Sequence, residues 1–297
     1  MVQRERGRDS HSVLGLRVWL ARQPFRPAPA WATLAGALAS GGLRWQRKDG
    51  LLLLLAIILA DGLWGQLWTL LVRQHSLASE GHAVPTVRLL PLPYVAPESP
   101  VSRLWRWLAG DAGQRKETQP TAAWRALLMN LLFTVGLALL LGPAALVTTA
   151  LALLVASLAR ILLPRRWGGA LAQSLFEIGL AWLLGHLLFA GFAWPVLPLV
   201  VAAGYVLLQA SSLALHGRRG LWLVNLAQFI PLACSVAAKQ PMAAGALGIT
   251  LLAPLAWQPW VDRGEEDENE GLSAHEYRQR AQIWWWAGML VAAWAVG

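Results

Sequence analysis

Apolar and polar positions in this chain are arranged in long blocks, and the blocks predict membrane-spanning helices. Nine apolar segments alternate with polar intervals, and most are close to the roughly 20 residues that cross a hydrocarbon core of about 30 Å. The segments cover roughly residues 28–43, 50–72, 124–142, 144–163, 168–188, 193–214, 221–238 and 241–257, and a ninth begins near Gln282. We therefore expect an all-α integral membrane protein with nine transmembrane helices.

The polar intervals predict the orientation of the chain. Residues 1–27 form a basic N-terminal segment, residues 73–123 a long loop, and residues 258–280 a loop with an acidic run. If these intervals are cytoplasmic, the basic residues lie on the cytoplasmic side, with these exceptions: Arg44, Arg47, Lys48 and Lys239. Such a bias is typical of inner-membrane proteins. We expect a multi-pass protein of the bacterial inner membrane with a cytoplasmic N-terminus, in which residues 28–297 form the membrane domain.

Composition supports a membrane protein and argues against nucleic-acid binding. The chain has 297 residues, of which 56% are hydrophobic and only 14% are charged, whereas soluble domains carry about 25% charged residues. The net charge of +9 comes from basic residues in the loops, so it does not indicate a nucleic-acid partner. The 18 tryptophans suit membrane interfaces and protein contacts. Membrane lipids and other membrane proteins are therefore the expected partners.

Asp61 is the most informative polar residue. No other charge lies between Asp49 and Arg73, and an ionisable residue within a membrane segment is a candidate functional residue. At 3.6 residues per turn, Asp61 shares a helix face with Trp64 and Trp68. We identify these three residues as candidates for the lining of a ligand cavity.

Four further polar residues lie within apolar segments. Gln173 and Glu177 are separated by four positions and share a helix face, and we include both among the cavity candidates, together with Asn225. Hydrogen bonding between helices is an alternative role for all three. His186 is a candidate ligand for a chlorophyll-type magnesium or a haem iron, and its alternative role is that of a buried core residue.

The layout resembles that of the UbiA superfamily of intramembrane prenyltransferases. The similarity consists of nine helices, a large cytoplasmic loop after the second helix, and an Arg-Pro start to the first helix at Arg26-Pro27. Two aspartate-rich motifs of the family hold Mg²⁺ on an allylic diphosphate. Against the first motif, N-D-x-x-D-x-x-x-D, this chain retains Asp61 but has Ala60, Trp64 and Trp68 at the other positions. The second motif would fall at residues 209–216, which contain no carboxylate.

The resemblance implies a UbiA-like fold around a central cavity, without the diphosphate site. One aspartate cannot hold two hard cations, and an indole N–H donates a hydrogen bond but cannot ligate a metal. We therefore expect a non-catalytic accessory or structural subunit of a larger membrane complex, such as a photosynthetic or quinone-handling complex. It would have no metal site and no catalytic cofactor, and the bound molecule would be a lipid, quinone, carotenoid or bacteriochlorophyll. The alternative is an active Mg²⁺-dependent prenyltransferase acting on an aromatic, quinone-precursor or chlorophyll-type acceptor.

Overall fold

The computed structural model describes residues 28–73, 119–162, 166–215, 220–261 and 273–297, and these residues are almost entirely helical. Within them we number nine helical segments and find no β-strand. Seven are α1 (Ala28–Ala39), α3 (Gln119–Leu141), α4 (Pro143–Leu162), α6 (Val196–Leu213), α7 (Leu221–Ala237), α8 (Pro241–Trp257) and α9 (Ala274–Val296). The other two, α2 and α5, change helix type along their length.

Helices α2 and α5 each contain π-helical turns. Helix α2 is α-helical over Arg47–Ile57 and Gly65–Trp68 and π-helical over Ile58–Trp64 and Thr69–Arg73. Helix α5 is α-helical over Arg166–Ser174 and Leu180–Ala190, and it is π-helical between them, over Leu175–Gly179. Because a π turn closes its hydrogen bonds at i+5, it widens the helix and changes which side chains share a face.

The helices coincide with the nine apolar segments of the sequence, so the all-helical prediction is confirmed. Three helical spans are long and apolar enough to cross a membrane: Arg47–Val72, Trp167–Ala190 and Val196–Leu213. Shorter apolar helices accompany them among the described residues. Two predicted starts were late, because α3 already begins at Gln119 and α9 begins at Ala274 rather than near Gln282. The basic segment 1–27, residues 74–118 of the first loop and residues 262–272 of the second lie outside the described residues.

Short connections join the helices into antiparallel hairpins. Residues 40–46 link α1 to α2, Gly142 links α3 to α4, residues 191–195 link α5 to α6, and residues 238–240 link α7 to α8. Gly142 has a φ of 100°, a conformation that only glycine adopts at little cost. The first residues of α1 and α9, the π-helical part of α5 and the last parts of α2 and α6 meet at the opposite end of the bundle. We call the end at which these residues meet the open end.

Helices α1 and α5 are packed backbone to backbone. A Cβ atom added to Gly36 would lie 2.0 Å from the carbonyl oxygen of Trp182, and one added to Gly185 would lie 2.0 Å from that of Thr33. Small residues at the contact allow the two helix backbones to approach this closely. It also fixes how α5, which carries Glu177, lies against the rest of the bundle.

Large apolar side chains cover much of the outer surface. Leu132, Leu140 and Val196 are 65%, 74% and 73% exposed, respectively. Burying apolar area is worth about 25 cal/mol per Å², so a protein folded in water would leave few such side chains uncovered. The exposed leucines and valines of the described helices therefore suit contact with lipid.

Candidate functional site

A cleft of about 160 Å³ opens at the open end of the bundle. Five helices contribute to it: α1, α2, α5, α6 and α9. Its apolar lining consists of Ala28, Pro29, Gly65, Trp68, Phe176 and Leu213, and its polar lining of Asp61, Thr69, Gln173, Glu177, Gln209, His275, Arg278, Gln279 and Gln282. The cleft thus joins Asp61, Trp68, Gln173 and Glu177, four of the residues that the sequence suggested.

The π-helical stretch of α2 presents Asp61 to the cleft. Asp61, Gly65 and Thr69 line it at intervals of four residues, which is the spacing expected when turns are wider than 3.6 residues. A Cβ atom at Gly65 would meet no atom within 4 Å, so this glycine leaves space beside Asp61. On the neighbouring helix, Asn130 donates its Nδ2 hydrogen to the Leu63 carbonyl at 3.1 Å, and this contact supports the π-helical turn.

Asp61 is a buried carboxylate at the inner wall of the cleft. It is 5% exposed, and its Oδ2 atom has no hydrogen-bond partner among the described residues. A buried polar atom without a partner costs free energy, and such an atom in a folded protein calls for an explanation. Because Asp61 faces a cleft, a group that enters the cleft can supply the missing hydrogen bond.

Helix α5 forms a second wall through its own π turn. The Gln173 Nε2 donates to Glu177 Oε1 at 2.8 Å, so the predicted pair does share a face. Between them along the chain, Phe176 packs against Trp68, with ring centroids 4.7 Å apart and planes inclined by 42°. This arrangement places a carboxylate beside an aromatic surface, and it suits a ligand with both a polar and an apolar part.

Helix α9 supplies a polar rim that the sequence analysis missed. Ser273 and Glu276 form a capping box, in which the Ser273 side chain accepts from the Glu276 N–H and the Glu276 carboxylate accepts from the Ser273 N–H. The Ser273 backbone N–H and hydroxyl both donate to the Glu276 carboxylate, and these hydrogen bonds lower the pKa of Glu276. The cap starts α9 at Ala274, so that His275 and Arg278 reach the cleft; their side chains contact each other at 3.0 Å. The Ser-x-x-Glu pattern was the available signal.

Gln209 of α6 also lines the cleft, although it is far from Asp61 in the sequence. It is 7% exposed and lies at the start of the stretch, residues 209–216, against which the second aspartate-rich motif was compared. The structure therefore brings Asp61 and Gln209, which come from the two stretches compared with those motifs, to one cleft.

Trp64 lies outside the cleft, contrary to the shared face expected from a regular α-helix. It is 1% exposed, and its Nε1 donates to Thr149 Oγ1 of α4 at 3.3 Å. The wider π turn is the physical reason, because it rotates Trp64 away from Asp61 and brings Gly65 into line instead. Trp64 is thus a core residue, whereas Trp68 lines the cleft.

Asn225 and His186 also lie away from the cleft. The Asn225 Nδ2 donates to Gln258 Oε1 at 3.0 Å, and Gln258 in turn donates to the Tyr277 hydroxyl at 3.3 Å. Asn225 therefore links α7 to the ends of α8 and α9, as its alternative role proposed. His186 is 2% exposed, and its Nε2 lies 3.3 Å from the Ala193 carbonyl oxygen. A pigment could reach this imidazole only if the surrounding helices moved apart.

The donor set does not fit a pair of Mg²⁺ ions on a diphosphate. The cleft offers two carboxylates, Asp61 and Glu177, and the second accepts a hydrogen bond from Gln173. Hard cations require several oxygen ligands each. Within the part of the chain that the structure describes, no three His, Cys, Asp or Glu side chains form a group that could hold a metal ion. Four amides, a hydroxyl, an imidazole and a guanidinium occupy the remaining polar positions.

Comparisons with known proteins do not place the chain in a family. No protein-family model, no curated protein and no solved structure matches it.

Proposed function

We propose that the chain is a non-catalytic, multi-pass membrane protein of UbiA-like architecture that holds an amphiphilic molecule in the cleft at its open end. The observation that carries the proposal is the composition of this cleft. Asp61 and Gln209, which lie in the two stretches compared with the aspartate-rich motifs, line one cleft, but only Asp61 supplies a carboxylate from those stretches. Trp68 and Phe176 add an apolar wall where the prenyltransferases would need further metal ligands.

The protein would act as an accessory or structural subunit of a larger membrane complex. A photosynthetic or quinone-handling complex would provide isoprenoid, lipid or pigment tails for the cleft. Exposed tryptophans support contacts with partners, because tryptophan is enriched where proteins meet each other and where they meet lipid head groups. Trp222, Trp260 and Trp294 are 63%, 64% and 64% exposed, respectively. Affinity purification from native membranes, followed by identification of proteins that remain bound, tests this role; recovery of the chain alone would contradict it.

The open end would face the cytoplasm of a bacterial cell. The intervals that the sequence assigned to the cytoplasm are those that follow α2, α4, α6 and α8, and the cleft contains the last residues of α2 and α6. Cysteine labelling in intact cells tests this orientation in a Cys234→Ala background. Asp267→Cys should be protected from an impermeant reagent and Gln240→Cys, at a hairpin tip, should be labelled; the reverse pattern would contradict it.

An active Mg²⁺-dependent prenyltransferase is the competing function, and titration calorimetry separates the two. The purified full chain is titrated with an isoprenyl diphosphate in the presence and absence of Mg²⁺. We expect no metal-dependent binding, because the cleft lacks ligands for the cations. A metal-dependent dissociation constant near 1 μM, which corresponds to about −8 kcal/mol, would refute the proposed function and favour the enzyme. Asp61→Asn is the control that assigns such binding to this cleft.

A further inference from the structure

The cleft carries groups of opposite charge at different depths. Asp61 is at the buried end, with 5% of its surface exposed. The positive charge is that of Arg278, which is half-buried on the rim formed by the first turns of α9. A ligand that satisfied both ends would need a hydrogen-bond donor or cation at its tip and an anion behind it.

The chemistry of these groups also indicates the parts of the ligand. The missing hydrogen bond at Asp61 Oδ2 must be supplied by an N–H or O–H, and a charged donor makes the stronger bond. Arg278 suits a phosphate, because a guanidinium presents several N–H groups in a planar fork. Phe176 and Trp68 provide an apolar wall beside these positions. The cleft therefore calls for a ligand that combines an ammonium group, a phosphate and an apolar part.

We infer that the cleft binds the head group of a zwitterionic aminophospholipid, with its primary ammonium at Asp61 and its phosphate at Arg278. This inference rests on the proposed function and names the ligand class for the same cleft. A volume of about 160 Å³ is roughly ten times the space that one water molecule needs, so a small head group fits. The acyl chains would leave along the apolar side of the cleft.

Two features make the binding specific to a primary amine. A quaternary ammonium has the same charge but no N–H to donate, so it leaves Asp61 Oδ2 without a hydrogen bond. A glycerol head group adds no positive charge to offset the carboxylates of Asp61 and Glu177. Phosphatidylethanolamine should therefore bind more tightly than phosphatidylcholine or phosphatidylglycerol with the same acyl chains.

Native mass spectrometry of the full-length protein tests the inference. The protein is exchanged into nanodiscs that contain equal amounts of phosphatidylethanolamine, phosphatidylcholine and phosphatidylglycerol, then released, and the retained lipid is identified. We expect phosphatidylethanolamine to be retained about tenfold or more over the other two, the size expected for one hydrogen bond to a charged group. Asp61→Asn keeps the shape of the side chain and should abolish the preference over phosphatidylcholine. Arg278→Gln should reduce retention of all three phospholipids by a similar factor.

A steric variant separates failure of the head-group assignment from failure of the proposed function. Gly65→Leu fills the space beside Asp61, where an added Cβ atom meets no atom within 4 Å. Gly136→Leu is the matched control, because Gly136 is also unobstructed but lies on α3, outside the cleft. Circular dichroism melting confirms that each variant is folded.

The combined results are decisive in each case. Equal retention of the three lipids by the wild type, or a preference for phosphatidylcholine, would overturn the aminophospholipid inference. If Gly65→Leu nevertheless lowered the retention of lipid or of an added isoprenoid alcohol, the proposed function would stand. If Gly65→Leu retained every lipid and isoprenoid as the wild type does, the cleft would not be a binding site and both proposals would fail.

Discussion

Replacing Gly185 with alanine should separate helices α1 and α5. The added Cβ atom would lie 2.0 Å from the Thr33 carbonyl oxygen and 2.9 Å from the Ala37 nitrogen, whereas ordinary contacts begin near 3.4 Å. The helices must therefore move apart by up to about 1.4 Å, and neighbouring contacts weaken steeply over such distances. Because the obstructing atoms belong to backbone, no side-chain rotation relieves the clash.

The expected destabilisation follows from two opposing contributions. Overpacking a close-packed interior costs about 1–3 kcal/mol, and we expect the upper part of this range because both surfaces are helical backbone. The alanine restores about 1 kcal/mol through its higher helix propensity. Gly185→Ala should therefore lower the free energy of unfolding by about 2 kcal/mol.

Thermal unfolding in detergent micelles, followed by circular dichroism, measures this change. Gly136→Ala is the matched control, because a Cβ atom there meets no atom within 4 Å, and it should melt at or slightly above the wild-type temperature. Gly36→Ala, which meets the Trp182 carbonyl oxygen at 2.0 Å, should behave as Gly185→Ala does. If Gly185→Ala melted at or above the wild-type temperature, the proposed closeness of α1 and α5 would be refuted.

Further substitutions test the assignment of Trp64 to the core and the capping box at the start of α9. Trp64→Ala should destabilise the fold by about 3–5 kcal/mol, because Trp64 is 1% exposed, whereas Trp222→Ala should have little effect because Trp222 is 63% exposed; similar melting temperatures for both would contradict the assignment of Trp64 to the core. Ser273→Ala should weaken the start of α9 by about 1 kcal/mol, seen as faster hydrogen exchange over its first turn. Because the capping hydrogen bonds lower the pKa of Glu276, their stabilisation is present at neutral pH and lost as the pH falls through the folded-state pKa. Glu276→Gln should remove this pH dependence of the protection from exchange. If the protection factors of the first turn varied with pH as in the wild type, the cap would not hold the helix.

The sequence alone was enough to locate the helices. In lipid each backbone N–H and C=O must be paired within its own segment, so an apolar block of sufficient length predicts a helix without knowledge of its neighbours. The first turns of α9 escaped this reasoning because they are polar, and hydropathy does not detect a helix that continues past the apolar block. Their Ser273–Glu276 capping box is a local signal and was accessible in the sequence.

Individual residues of the cleft could also be identified from the sequence, because a carboxylate such as Asp61 is conspicuous in an apolar segment. Its neighbours were less certain, since regular helix geometry placed Trp64 beside Asp61. The π turn that removes Trp64 and admits Gly65 depends on contacts from other helices, including that of Asn130 with the Leu63 carbonyl.

The tertiary structure alone decided which distant residues meet. Asp61, Glu177, Gln209 and Arg278 come from four helices, and no local pattern specifies how those helices are oriented around one another. Their arrangement depends on close backbone contacts such as those at Gly36 and Gly185. A helix forms from hydrogen bonds between residues a few positions apart, whereas a cleft forms where several packed surfaces fail to fill the space between them.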